Sequence, residues 1–365
     1  MQSLKSNALE PTRAELARMS RGRALLRVLP IYGLPILTLA LIAFFSWLLP
    51  ESFPTAINAR SILSDKGIIA LLSLAAMVPM MAGRIDLTIG FGIVMWHILA
   101  ITLQVRYGFS WPVACIIVVL AGGLSGLVNG ILVEVAQIDS FIATLGTGTI
   151  LYALALWHTD GRQVIGDLPQ GFINVNGWSV LTIPMPAVYA LVLAVVLWIV
   201  AERMPIGRHI YAIGANEKAA ALNGIPVRAY VIGVFVASGL LVGFTGDVLA
   251  SKLQIGQANV GLDYLLPALV GTFLGSTTIK PGRVNVWGTV IGVLILAVGI
   301  SGIQQLGGAF FVEPLFNGVT LLVSIALAGF AQRRRSVTRV TPPRATETRS
   351  KLATETQRHG EQEVH

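Results

Sequence analysis

Apolar runs of about 20 residues recur ten times along this chain, the length a helix needs to cross a bilayer core of about 30 Å. Their approximate limits are 30–49, 62–82, 88–105, 111–133, 139–158, 184–201, 229–250, 263–276, 287–304 and 311–330. A backbone in hydrocarbon has no water to bond, so such runs are confined to helices. With 54% hydrophobic and only 12% charged residues, the composition excludes an ordinary soluble domain, where about a quarter of residues are charged. The mean hydropathy of +0.74 agrees. The expected fold class is an all-α polytopic membrane protein of about ten transmembrane helices. The eighth is the shortest, with Asp263 and Pro267 at its start.

Net charge is +8, and its distribution accounts for it without nucleic acid. If the amino terminus is cytosolic and the chain crosses ten times, 21 of the 26 Lys and Arg residues fall on the cytosolic side. Such a bias sets membrane orientation. The expected organisation is a basic cytosolic tail over 1–29, a membrane domain over 30–330, and a disordered cytosolic tail over 331–365. The membrane domain is interrupted by a charge-bearing cytosolic loop at 202–228.

That loop carries helix punctuation. Asn216 suits an N-cap, Glu217 places an anion on the first turn, Gly224 stands where a left-handed residue closes a helix, and Pro226 forbids continuation. The pattern predicts one short helix over Glu217–Asn223. A helix so far below the roughly 12–15 residues needed in water must rest against something.

A second unusual stretch runs from Met80 to Gly90. Pro79 and Gly83 can break the second span near 79–88, and Asp86 can cap the helix that opens the third. Charged residues there belong to a cavity lining or to a cap, and in a loop Arg84 and Asp86 can pair. Asp247 stands inside the seventh span, expected as an internally hydrogen-bonded residue, with Lys252 snorkelling just beyond it.

Glycines at four-residue spacing (Gly122, Gly126 and Gly130; Gly239 and Gly243; Gly271 and Gly275; Gly288 and Gly292) predict close helix packing. Gly146 and Gly148 lie in an apolar span with no basic residue following, and no Gly-x-x-x-x-Gly-Lys-Ser/Thr run occurs, so no ATPase site of its own is expected. The five histidines are scattered, the single Cys115 sits in an apolar run, and no catalytic constellation or metal site is expected.

The run Gly83-Arg84-Ile85-Asp86-Leu87-Thr88-Ile89-Gly90 resembles the permease subunits of ribose/xylose/galactose-type ABC importers. So do Asn129 to Leu145 with Phe141-Ile142-Ala143-Thr144, and above all Gly207-Arg208-His209-Ile210-Tyr211-Ala212-Ile213-Gly214-Ala215-Asn216 leading to Ala219-Ala220 and Gly224-Ile225. The likeness extends through Trp287-Gly288-Thr289 and covers roughly 30–330. It implies a multi-pass protein of the bacterial inner membrane, with both termini cytosolic, working as a homodimer in lipid. A periplasmic binding protein would deliver a monosaccharide or related polyol. A separate cytosolic ATPase would bind the ATP, this chain holding no cofactor. The resemblance makes the central loop the element that docks on that ATPase, through Gly207, Arg208, Tyr211, Gly214, Asn216, Glu217, Ala219, Ala220, Gly224 and Ile225. Pathway or gate candidates are Gly83, Arg84, Asp86, Thr88, Gly90, Asn129, Thr144 and Asp247. Two departures stand out: members often have two glycines where this chain has Gly83-Arg84, and often a Gly-Gly-x-Ser-Leu-x-Gly-Gly pattern where it has Gly271 to Gly275 followed by Ser276-Thr277-Thr278-Ile279-Lys280-Pro281-Gly282. The alternative is an ion-coupled secondary transporter, with Asp247 as the carboxylate that handles the ion.

The charge asymmetry predicts that tags at both termini, and a cysteine probe placed in the 205–226 loop, all react only from the cytosolic side. Labelling of the loop probe by an impermeant reagent applied to the outer face would refute the ten-span orientation.

Overall fold

The computed structural model describes residues 32–308 and 311–339; the expected tail at 1–29 and residues 340–365 lie outside them. Helices account for most of that chain. Tyr32–Leu48 forms α1. Then follow α2 (Ala56–Met81), α3 (Thr88–Val105), α4 (Trp111–Glu134) and α5 (Ser140–Thr159). Short α6 (Gln170–Gly177) and a hairpin of β1 (Ser179–Val180) and β2 (Ile183–Pro184) precede α7 (Met185–Trp198), which ends in a π-helical turn at Ile199–Arg203. The central loop holds α8 (Pro205–Ala215) and α9 (Glu217–Leu222), after which come α10 (Val227–Leu253), α11 (Leu265–Gly275), α12 (Val286–Gln305) and α13 (Val312–Arg339).

Seven of these helices are long and apolar enough to cross a membrane, and three shorter apolar helices, Tyr32–Leu48, Leu262–Gly275 and Val312–Ala326, coincide with the remaining apolar runs. The chain is a multi-pass all-α membrane protein. Helix α13 runs past residue 331, where a disordered tail was expected to begin, and reaches Arg339. The all-α expectation overlooked the hairpin. Its turn places Leu181 at φ 48° and Thr182 at φ 72°, a conformation ordinarily signalled by glycine or asparagine, and neither is present to announce it.

Helix α3 is the most enclosed of the spans, while α5 and α7 turn Ile142, Ile150, Leu191 and Val192 outward. Such apolar outer faces suit lipid. The tightest seam joins α4 to α10. A side chain at Gly122 would overlap the Gly239 carbonyl, and one at Gly126 the Phe235 carbonyl. The same holds between α11 and α12, where Gly271 and Gly275 face Gly288 and Gly292. These stripes were expected to serve close helix packing. They are filled by helices of this same chain, so none is open to a second copy.

His97 is fully buried on α3, yet both ring nitrogens are used. Nδ1 lies 2.9 Å from the Ile93 carbonyl and donates to it, which leaves Nε2 to accept from the Gln257 amide at 3.2 Å. The ring thus pins the loop after α10 onto α3.

Replacing Gly126 by Val should drive a branched side chain into the Phe235 backbone, with an overpacking cost of about 1–3 kcal/mol or more. Gly146→Val on α5 meets nothing within 4 Å and should be tolerated. Melting temperatures of the two detergent-purified variants check this: a lowered midpoint for Gly126→Val alone is the expected outcome.

Candidate functional site

The unusual stretch at 82–87 and the central loop lie together at one end of the bundle, with the α11–α12 loop beside them. Pro79 does not break α2; the helix continues to Met81, and the chain turns at Gly83 with φ 75° while the Arg84 amide still reaches the Pro79 carbonyl at 3.1 Å. Glycine suits that positive φ, which other residues adopt only with strain. Gly214 in turn has no room for a side chain against the Met81 carbonyl.

The peptide groups that leave the helix find side-chain partners from neighbouring spans. The Ile85 amide donates to Ser140 Oγ at 3.2 Å and the Leu87 amide to Thr144 Oγ1 at 3.0 Å. Asp86 accepts from the Thr88 amide at 2.9 Å, from the Thr88 hydroxyl, and from Ser238 Oγ of α10 at 2.9 Å. The chain of bonds continues as Asn129 Nδ2 donates to Thr88 Oγ1 at 3.1 Å and Thr147 Oγ1 donates to Asn129 Oδ1 at 2.6 Å. Asp86, Thr88, Asn129 and Thr144 are thus one buried network tying α3, α4, α5 and α10 to the break.

The pairing open to Arg84 and Asp86 does not form, because Asp86 turns inward and Arg84 turns toward two acids of other elements. The Arg84 guanidinium lies 2.9 Å from Glu134 at the end of α4 and 2.8 Å from Glu217 on the first turn of α9. Glu134 is 3% exposed and Glu217 47%. Lys280 pairs with Glu202 in the π-helical turn, and the Arg283 guanidinium lies 3.3 Å above the Tyr211 ring, whose hydroxyl donates to the Val284 carbonyl at 3.0 Å. Burial raises the Tyr211 phenol above its ordinary value, and the Arg283 charge works against that rise. A cleft of about 430 Å³ opens between these elements, lined by Met81, Arg84, Tyr211, Phe273, Ser276 and Arg283.

The central loop contains two helices rather than the one expected. Pro205 opens α8, and Gly207 and Gly214 obscure its sequence signal because glycine is a poor helix former. Both glycines are there for close approach: a side chain at Gly207 would strike the Val200 and Ala201 carbonyls. Arg208 is exposed, while Ala220 and Ile225 pack on Val231 and Phe235. Helix α9 follows the punctuation read from the sequence. Asn216 Oδ1 accepts from the Ala219 amide at 3.0 Å, and Gly224 has φ 80°.

The other candidates lie elsewhere. Gly90 packs tightly on Leu265. Asp247 is buried farther along α10, about 13 Å from Ser238 at the helical rise; among the described residues neither of its oxygens has a partner in ordinary hydrogen-bond geometry, and the Cys115 thiol of α4 lies beside it. It was expected to be hydrogen-bonded internally. Lys252 does not simply snorkel; it meets Asp65 at 2.6 Å. Sequence reasoning missed Glu134, Ser238, Thr147, Arg283 and Asn285, the last capping α12 through the Gly288 amide at 2.8 Å while donating to the Gly275 and Thr278 carbonyls. Glu134 alone left a signal, as a lone acid closing an apolar run.

A family model described as branched-chain amino acid transport system / permease component matches residues 58–328. The chain is 32% identical over 294 residues to the ribose import permease protein of Bacillus subtilis (strain 168), which covers 80% of this chain and 91% of that one. It is 29% identical over 296 residues to the D-allose transport system permease protein of Escherichia coli (strain K12), covering 81% and 90%. It is 28% identical over 313 residues to the L-arabinose ABC transporter permease protein of Azospirillum brasilense, covering 84% and 90%. No solved structure matches the chain. These relatives give no support to an ion-driven transporter.

Removing Arg84 should leave Glu134 buried without its cation, which costs more than losing the exposed contact to Glu217. Arg84→Gln is expected to destabilise by about 1–3 kcal/mol, Glu217→Gln by less than about 1 kcal/mol, and Arg84→Gln combined with Glu134→Gln should recover much of the loss. Thermal melts of the three variants decide it; a double variant no more stable than Arg84→Gln would show that the buried pair is not the source of the cost.

Proposed function

Because the chain belongs to the branched-chain amino acid transport system / permease component family and is a permease subunit of the sugar-importing ABC transporters within it, we propose that it forms the membrane pathway for a monosaccharide or related polyol. It crosses the bacterial inner membrane ten times with both termini in the cytosol, pairs with a second copy of itself, receives substrate from a periplasmic sugar-binding protein, and is driven by a separate cytosolic ATPase. It hydrolyses no ATP itself.

One observation carries the coupling part of this reading. Helix α9 projects from the bundle end with only Ala220 buried, and it presents Leu222 at 90% exposure in a loop with no neighbour to cover it. A six-residue helix is not stable on its own. It is held from behind instead, by Arg84 on Glu217 and by Ala220 and Ile225 against α10. A marginal helix that is braced on one side and bare on the other suits a partner surface. Movement of that partner would reach the membrane by two routes. One runs through Arg84 to the break at 82–87 and the Asp86 network, the other through Tyr211 and Glu202 to Arg283, Lys280 and the α11–α12 loop.

The test is at the helix ends. Gly224→Val forces a β-branched residue to φ 80°, at about 1–2 kcal/mol, without touching any span. The variant should insert normally, yet bind the ATPase weakly and lose substrate-stimulated ATP hydrolysis. Asn216→Ala removes the cap on α9 and should do the same more mildly, for about 1 kcal/mol. Wild-type coupling and uptake in Gly224→Val would take the central loop out of this role.

A further inference from the structure

At the end of the bundle opposite the coupling loops, the start of α2, the end of α10, the loop into α11, the end of α12 and the start of α13 enclose a chamber of about 620 Å³. Binding cavities for small molecules fall in the range of about 300–1,000 Å³. With the coupling loops on the cytosolic side, this chamber opens toward the side from which substrate is delivered, and it belongs to one protomer.

Its wall sorts into groups already used and groups still free. Lys66 meets Glu313 at 2.9 Å and Lys252 meets Asp65 at 2.6 Å, while Gln304 donates to the second Glu313 oxygen at 3.3 Å. Both ammonium groups are therefore engaged. Asp263, Tyr264 and Asn317 line the same space, and the Asn317 Oδ1 has no hydrogen-bond partner among the described residues. Asn317 is the telling one. It is 3% exposed, on an apolar helix, and its Oδ1 is buried without a hydrogen bond. A buried amide in such a setting costs free energy until something bonds to it.

The free groups define the ligand class. Asp263, Asn317 and the tyrosine hydroxyl accept and donate hydrogen bonds, and the Tyr264 ring offers an apolar face. An anion would meet three carboxylates, and an amino acid's carboxylate would have to share each lysine with the acid it already pairs. A divalent cation would have to compete with Lys66 and Lys252 for Glu313 and Asp65. A polyhydroxylated molecule fits without displacing either ion pair, since each hydroxyl both donates and accepts. We propose that the chamber is a binding site, within a single protomer, for a polyol of monosaccharide size, held by Asn317, Asp263 and Tyr264. The proposal rests on the reading of this chain as a sugar permease and adds to it the place where the sugar first touches the membrane subunit.

Protection of a cysteine at the rim tests it. Ser61, exposed on the chamber wall, is replaced by Cys in a Cys115→Ala background, and the permease–ATPase complex in proteoliposomes is labelled with an impermeant maleimide. D-ribose, D-allose and L-arabinose serve as probes at millimolar concentration, with L-leucine as the zwitterionic control. At least one sugar should slow labelling severalfold while L-leucine does not, and Asn317→Leu should abolish the protection. Asn317→Ser and Tyr264→Phe, which keep smaller polar or aromatic groups, should weaken it, and they carry the test if Asn317→Leu fails to insert. Labelling unaffected by all three sugars, slowed equally by L-leucine, or protected equally in the Asn317 and Tyr264 variants overturns the site. ATP-driven uptake of the same sugars by the complete importer is measured in parallel. Uptake without protection removes the chamber and leaves the permease reading standing, whereas protection without uptake supports the chamber and counts against that reading.

Discussion

A peptide group that leaves its helix inside a membrane bundle must be bonded by protein, because no water is there to do it. The break at 82–87 is where this chain meets that requirement, and much of the surrounding structure follows from how it does so. Ser140 and Thr144 of α5 accept the amides of Ile85 and Leu87, and Asp86 takes the first amide of α3. A carboxylate buried for that purpose needs donors of its own, and Ser238 on α10 and Thr88 supply them. Asn129 and Thr147 then complete the bonding of Thr88. Four helices are held in fixed rotation about their axes by the need to satisfy six residues of irregular backbone.

Glycine makes this geometry reachable. Helices α4 and α10 run nearly backbone to backbone at Gly122, Gly126, Gly239 and Gly243, the same pair that carries Asn129 and Ser238 of the network. In lipid no hydrophobic drive pulls helices together, so close contact and buried hydrogen bonds must do it. The α11–α12 pair repeats the device, with Asn285 bonding carbonyls across the turn where Gly275 and Gly288 touch. Polar networks and glycine seams occur side by side because each depends on the short separation the other allows.

Much of the fold could be read from residue order. Span positions follow from apolar runs, and α9 from Asn216, Glu217 and Gly224, since each of these signals is local. Helix α8 was hidden because its glycines answer to a neighbouring backbone rather than to helix propensity, and the Leu181–Thr182 turn because it uses residues that do not favour its dihedrals. The ion contacts of Arg84, Lys280 and Arg283 were beyond reach for a different reason: their partners lie 50 or more residues away, so no spacing encodes them. In the folded chain, Arg84 and Lys280 are cations that grip the central loop.

Arg84 stands between two acids in very different surroundings. Glu134 is enclosed by protein, whereas Glu217 faces solvent. Mobile ions screen an exposed pair within about 8 Å at physiological ionic strength and barely touch an enclosed one. The two arms of this bridge therefore respond unequally to dissolved salt. As ionic strength rises, the arm to α9 slackens while the arm to α4 holds, so the projecting helix gains freedom without any loosening of the break behind it. The stiffness of the link between the loop and the membrane is thus set partly by the ions of the compartment into which it projects.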